Sequence, residues 1–327
     1  MTVIEAVNLA KVYRLAQKDP GLFGAARALV RPHHVDKVAV DGINFSVQGG
    51  ETVGYIGVNG AGKSTTIKML TGILVPTRGT VRVLGRDPHR ERVANAREIG
   101  VVFGQRSQLW WDLAFIESLN LIARIYELPR PRYTLLLEQF VEMLELKELL
   151  HVPIRNMSLG QKMRAELAAT LIHEPQIVYL DEPTIGLDLI VKERIRAFIR
   201  QQNREKGTTI LLTTHDIGDI EELCRRVMII DRGRLIYDGP LQTIKERFGK
   251  YREMTFETAL PALEVELPAG AELVHAEDRT LHLRFDRTAI SASRVASHIM
   301  NQAEVVDFSL AEPDLSMIVK QLYRGEA

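Results

Sequence analysis

The run Gly57-Val58-Asn59-Gly60-Ala61-Gly62-Lys63-Ser64-Thr65 constrains this chain more than any other stretch of it. It follows the β-branched segment Thr52–Ile56 and opens a helical pattern reaching about Leu70, the strand, loop and helix setting that a phosphate-binding loop requires. Glycines let the backbone wrap tightly enough for successive N–H groups to point inward, and the helix N-terminus adds a favourable dipole for an anion. Lys63 supplies charge to neutralise phosphate, and the Ser64 hydroxyl suits Mg²⁺, which keeps several waters beside phosphate oxygens. A dinucleotide-binding loop is disfavoured, because its glycine spacing is not met and Lys63 has no role in it.

Around this loop, short apolar runs alternate with longer helical patterns. Residues 177–180 precede acidic residues, Thr209–Thr213 precede a histidine, and Arg226–Asp231 follow it. That rhythm predicts an α/β sheet with largely parallel strands, and the continuous apolarity of 177–180 and 210–212 fits strands buried on both faces. Ligands of such sheets gather at the carboxyl ends of the strands.

Two carboxylates stand at one of those ends, in Ile177-Val178-Tyr179-Leu180-Asp181-Glu182-Pro183. With a phosphate loop upstream on the same sheet, Asp181 fits a Mg²⁺ role and Glu182 is free to position or deprotonate an attacking water. Thr214-His215-Asp216 ends the next strand, which puts His215 on the same rim, within reach of a γ-phosphate or of the water. Gln105, at the end of 101–103, has by itself only the standing of a polar loop residue.

The rest of the chain bounds the class. With 327 residues, 46% of them hydrophobic, it has material for one large domain and a small one. Its 42 basic and 42 acidic side chains cancel, so nothing points to a nucleic-acid partner. Residues 1–250 carry 35 Lys and Arg against 29 Asp and Glu, and residues 251–327 carry 7 against 13, an asymmetry that suggests two units with different tasks. Cys224 is the single cysteine, which excludes an internal disulfide framework and agrees with a reducing compartment. No stretch approaches the roughly 18 apolar residues of a membrane span, and 1–13 lack the pattern of a secretory signal.

Between residues 15 and 35, Leu22, Phe23, Ala26, Leu29 and Val30 fall at helical spacing with Arg27 and Arg31 alongside, predicting a short amphipathic helix, either an insertion packed on the domain surface or a contact to the membrane or a partner chain. After Gly249 the pattern changes to short strands at 253–257, 280–285 and 305–309 and helices at 291–302 and 314–323, a small α+β tail.

Met157-Ser158-Leu159-Gly160-Gln161-Lys162-Met163-Arg164, about 20 residues before the acidic pair, resembles the signature sequence of the ATP-binding cassette (ABC) ATPases, which P-loop proteins in general lack. The resemblance covers residues 3–248 in family order. Residues 57–65 match its Walker A motif, 177–182 its Walker B motif with catalytic Glu182, Gln105 its Q-loop, Gly186-Leu187-Asp188 its D-loop, His215 its H-loop, and Tyr13 the aromatic that stacks on adenine.

The resemblance implies an α/β P-loop NTPase of the ABC-ATPase fold: a RecA-like core with an antiparallel β subdomain and an α-helical subdomain at about 106–173, all within 1–249. A small α+β accessory domain at 250–327 completes the chain. It implies catalysis by Glu182, His215 and Gln105, and Mg²⁺ held by Ser64, Gln105 and Asp181. ATP is held by Tyr13, Gly57, Asn59, Gly60, Ala61, Gly62, Lys63, Ser64, Thr65, Ser158, Gly160, Gln161 and Asp188, with Ser158 and Gly160 facing the nucleotide of an opposite subunit in a homodimer or a heterodimer.

Leu159 in place of the commoner glycine, and Gln105 leading into Ser107-Gln108-Leu109-Trp110-Trp111-Asp112, look like the ATPases paired with ABC-2-type membrane permeases. The expected setting is therefore peripheral, on the cytoplasmic face of the inner membrane, with at least one of Trp110 and Trp111 toward the permease, the alternative being that they are ordinary core with Leu109 and Phe115. Two features depart from the commoner pattern: the long insertion between Tyr13 and Val38, and a D-loop reading Ile185-Gly186-Leu187-Asp188 rather than Ser-Ala-Leu-Asp. The competing readings are an importer ATPase and a soluble ABC ATPase acting on ribosomes or DNA; the latter usually carries two cassettes, long coiled coils or zinc cysteines, which this chain lacks.

Overall fold

The computed structural model describes residues 1–17, 33–104, 107–214, 216–248, 251–259, 265–311 and 318. The expected amphipathic helix near residues 22–30, Gln105 and His215 lie outside them, as does the expected helix 314–323 apart from Ile318. The chain resolves into two compact units, Met1–Asp238 and Gly239–Ala327.

In the first unit, β3 (Thr52–Ile56), β5 (Ile99–Phe103), β6 (Ile177–Asp181), β7 (Thr209–Thr213), β8 (Arg226–Asp231) and β9 (Arg234–Pro240) form a six-stranded sheet in the order β5-β6-β7-β3-β8-β9. The pairs β5 with β6, β6 with β7, β7 with β3 and β3 with β8 are all parallel. Ile177 through Leu180 and all five residues of β7 are buried, as strands covered on both faces require. The register sets Phe103 opposite Asp181 and Asp181 opposite Thr213, so the carboxyl ends of three neighbouring strands finish level.

A second sheet, β2-β1-β4, is antiparallel and comprises β1 (Thr2–Gln17), β2 (His33–Gln48) and β4 (Arg78–Val83). Its inner residues Ile4, Leu9, Val40, Phe45 and Val83 join Ile67, Met69 and Leu70 of α1 (Lys63–Leu70) and Val53, Tyr55, Met228 and Ile230 of the parallel sheet in one core. Helix α1 is thus gripped between two sheets, and the loop that precedes it is fixed from behind.

Four helices follow: α2 (Arg92–Glu98), α3 (Phe115–Ile125), α4 (Arg130–Met143) and α5 (Leu159–Leu171). Phe115, Leu119 and Ile122 make the buried stripe of α3. Phe140 of α4 meets Phe198 of α6 (Leu189–Lys206) edge to face, with centroids 5.3 Å apart. Helix α7 (Ile217–Leu223) lies between β7 and β8 in the chain.

The second unit contains α8 (Leu241–Phe248) and an antiparallel sheet of β10 (Tyr251–Thr258), β11 (Ala271–Glu277), β12 (Thr280–Asp286) and β13 (Val305–Ala311), in the order β11-β12-β10-β13. Val295, Ala296 and Ile299 of α9 (Ala292–Met300) pack on Met254, Phe256, Leu281, Leu283 and Phe285. The unit starts at Gly239, within the last two residues of β9, ahead of the change in composition near residue 250. Strand β11 is an addition to the sequence reading. It is an edge strand with a register shift between Leu273 and His275, so its apolar residues do not alternate cleanly.

Ile67 has no solvent exposure and lies at the centre of the first unit's core. Ile67→Ala is expected to cost about 2–5 kcal/mol of stability, read as a lower denaturant midpoint with an unchanged slope.

Candidate functional site

The loop at 57–65 leaves β3 with Val58, Asn59 and Gly60 exposed and returns with Ala61, Gly62 and Lys63 buried. Gly62, at φ 117°, forms the N-cap of α1; a Cβ there would stand 2.6 Å from the carbonyl oxygen of Ala39, so the position is closed to other residues both by conformation and by space. At Gly57 an added Cβ would meet the Ile230 carbonyl oxygen at 2.7 Å. No side chain caps α1. The N–H groups of its first turn have no intrahelical acceptor and face the loop mouth, the arrangement that binds anions.

Lys63 is 6% exposed, and its ammonium donates to the carbonyl oxygens of Gly57 and, at 3.4 Å, Val58. Burial pushes its pKa below the ordinary lysine value, and the charges of Glu182 and then Asp181 act in the opposite sense. Across from it, the Ser64 hydroxyl donates to Asp181 Oδ2 at 3.2 Å, and Thr213 Oγ1 donates to Asp181 Oδ1. The loop after β3 and the end of β6 therefore meet through side chains. Their donor set is a hydroxyl and a carboxylate, hard oxygen ligands that fit Mg²⁺.

Glu182 follows at φ 55°, in the left-handed region, with its N–H donating to the Thr213 carbonyl at 2.8 Å. A non-glycine residue held there costs about 1–3 kcal/mol, and such strain collects where a side chain must be aimed. Gly104 N–H donates to the Asp181 carbonyl at 3.0 Å, anchoring the chain one residue before Gln105.

Ser158, Gly160, Gln161 and Asp188 make a second group. The Ser158 hydroxyl accepts from the Gln161 N–H at 3.3 Å and the Gln161 side chain accepts from the Ser158 N–H at 2.8 Å, a reciprocal capping box that starts α5. Asp188 caps α6, accepting from the Val191 N–H at 3.0 Å. A Cβ on Gly160 would reach Val191 at 3.5 Å, an ordinary contact, so packing within the chain does not demand glycine there. A Cβ on Gly186 would come within 3.2 Å of Leu159 Cδ2. Leu159 of the signature loop and Gly186 of the D-loop are thus neighbours, and a side chain at 186 would require the tip of Leu159 to give by a few tenths of an ångström. Tyr13 lies in β1 opposite Lys37, with Lys11 Nζ 5.5 Å from its ring centroid.

One network escaped sequence reasoning. Asp219 of α7 is fully buried and accepts from Thr184 Oγ1, from Thr214 Oγ1 at 3.0 Å and from Arg196 Nε at 2.7 Å. Thr184 stands two residues after Glu182 and Thr214 one before His215, so a single carboxylate ties together the exits of β6 and β7. The available signal was an acidic residue between Ile217 and Ile220 on a helix with an apolar face, and Arg196 among Ile195, Phe198 and Ile199 on α6. Each looks like an error of patterning until the two are paired. Asp219→Ala removes the acceptor shared by Thr184, Thr214 and Arg196 while Arg196 keeps Glu222 at 2.9 Å and Asp216 at 3.5 Å; it is expected to cost about 1–3 kcal/mol in chemical denaturation, with Asp219→Asn costing less.

Comparison with known proteins agrees with this geometry. Residues 40–185 match the family described as ABC transporter. Nod factor export ATP-binding protein I of Ralstonia nicotianae is 34% identical over 261 residues, covering 77% of this chain and 78% of that protein. Linearmycin resistance ATP-binding protein LnrL of Bacillus subtilis is 30% identical over 295 residues, covering 88% and 94%. A solved structure of the ATP-binding subunit of an ABC transporter superimposes with a TM-score of 0.64 at 28% identity, over 76% of this chain and 93% of that one. A bare anion-binding helix end, two oxygen donors facing it, and likeness across most of the length of these relatives lead to one conclusion: the chain belongs to the ATP-binding subunits of ABC transporters and has the ABC-ATPase fold.

Proposed function

We propose that this ATPase drives an exporter of the ABC-2 type, pairing with a second ATPase subunit around nucleotide and acting on a separate membrane permease from the cytoplasmic face of the inner membrane. The observation that carries the reading is the meeting of Lys63, Ser64 and Asp181 at the carboxyl edge of the sheet, with Glu182 next in the chain. Among the described residues no helix is long and apolar enough to cross a membrane, which is in keeping with a permease on another chain. Names of relatives that mention export, such as the Nod factor protein, favour export over import.

In this reading the phosphates of ATP take the N–H groups of residues 60–65, and the Lys63 ammonium exchanges its carbonyl partners for phosphate oxygens. Ser64 and Asp181, joined by Gln105, hold Mg²⁺, which neutralises charge on the β- and γ-phosphates. Glu182, aimed by its left-handed backbone, orients the water and takes its proton, and His215 steadies the γ-phosphate. Tyr13 stacks on adenine. Ser158, Gly160 and Gln161 of one subunit, with Asp188 close by, close over the nucleotide of the other, so that ATP is part of the interface.

The surface around these residues suits burial against a second subunit, since Leu159, Ile185, Leu189 and Ile190 are all exposed. Loss of the γ-phosphate weakens this interface, and the opening passes through Gln105 and the Trp110–Trp111 surface to the permease.

Glu182→Gln is expected to lower turnover roughly 10²-fold or more while leaving ATP affinity unchanged, and to trap a dimer with Mg²⁺ and ATP in light scattering. Near-normal hydrolysis by this variant would overturn the assignment of Glu182.

A further inference from the structure

One face of α5 carries Lys162, Glu166 and Thr170 at intervals of four residues, which stacks them along a single stripe. All three hold the same short segment. Lys162 Nζ lies 4.5 Å from the centroid of the Trp111 ring, within the range of a cation–π contact. Glu166 accepts from Ser107 Oγ at 2.7 Å through one oxygen and from the Gln108 N–H at 2.8 Å through the other. Thr170 Oγ1 accepts from the Gln108 side-chain amide at 2.5 Å. The Ser107 hydroxyl in turn accepts from the Leu109 N–H at 3.0 Å, so the turn at 107–109 is folded around the Glu166 carboxylate.

Glu166 is 6% exposed, and a buried carboxylate costs free energy unless its oxygens are bonded. Both are bonded here, and both bonds go to residues 107 and 108 rather than to its own helix. Burial raises its pKa and the bonds from Gln108 and Ser107 pull the other way. Nothing in hydrophobic packing asks for an acid at this place. A helix that only needed to rest against the segment would be served by an apolar residue, with no desolvation cost. The carboxylate makes sense as a clamp that gives the joint one geometry and no slack.

We propose that Glu166 is a positioning residue that fastens residues 107–111 to α5, so that motion of the Ser158–Gly160 end of the helix is delivered to Trp110 and Trp111. The inference rests on the ATPase reading above, in which that helix end meets nucleotide. Residues 107–111 then move with the signature helix as one piece. Trp111 is 57% exposed and Trp110 40% exposed, so motion of α5 reaches the surface without passing through the core.

The chain's two tryptophans are both in this segment, which makes intrinsic emission a local reporter. The test uses the full chain with Mg²⁺ and a non-hydrolysable ATP analogue, nucleotide affinity being measured separately by calorimetry. Wild type is expected to bind the analogue and change its emission. Glu166→Ala is expected to bind with similar affinity and to lose most of that change. Glu166→Gln, whose amide can still accept from the Gln108 N–H and donate to the Ser107 hydroxyl, is expected to restore it. Ser107→Ala, which removes the bonds of one exposed hydroxyl to Glu166 and Leu109 and leaves the helix intact, is expected to weaken the response in the same direction even if Glu166→Ala does not fold. An unresponsive wild-type emission with nucleotide bound, or an undiminished response in both Glu166→Ala and Ser107→Ala, would overturn the inference alone. Failure of the wild-type chain to bind the analogue would overturn the ATPase reading and this inference together.

Discussion

The site depends on a cation that the fold has taken out of water before any anion arrives. Lys63 is stripped of most of its hydration and left with two backbone carbonyls and the field of two carboxylates. Carbonyl dipoles only partly replace water around an ammonium. In the proposed function, an incoming phosphate completes a solvation shell that folding left incomplete, and so aligns affinity with the group to be recognised. Holding that arrangement requires α1 to be immovable. The two sheets that grip it, and the backbone oxygens of Ala39 and Ile230 that exclude any side chain at Gly62 and Gly57, are the means.

Parallel pairing then does what no single loop could. Because Asp181 is in register with Thr213, and the loop after β3 leaves from the same edge, groups distant in sequence finish at one level. The ladder is a ruler, and the chemistry is marked on its last rung. Strain at Glu182 belongs to the same construction: the chain must turn sharply at the rung that carries the carboxylate, and the Thr213 carbonyl bonded to its N–H pins the turn.

Much of this was legible in the amino-acid order, for a physical reason. Strands β6 and β7 are buried on both faces and so carry the unbroken apolar runs 177–180 and 210–212, and the phosphate loop carries two glycines, Gly57 and Gly62, that neighbouring backbone oxygens close to any side chain. Where a residue's partner is remote and polar, the order is silent. Asp219 and Arg196 each spoil a local pattern and are explained by partners remote in sequence, each other among them. Strand β11 was missed because an edge with a bulge does not alternate. Glu166 could be seen as an acid in a helix, but not as the holder of a turn 59 residues away.

The fit of Leu159 against Gly186 has a consequence for how such chains can be recombined. The signature loop and the D-loop are usually regarded as separate motifs, yet here the shape of one is the complement of the other. A graft that brought in the commoner alanine at 186 would set its Cβ about 3.2 Å from Leu159 Cδ2, so the exposed tip of Leu159 has to give by a few tenths of an ångström, at a loop φ of 70° that already disfavours a side chain. The two positions are therefore neighbours in space, and a chimera of this ATPase with a relative keeps their packing unchanged when both come from the same parent.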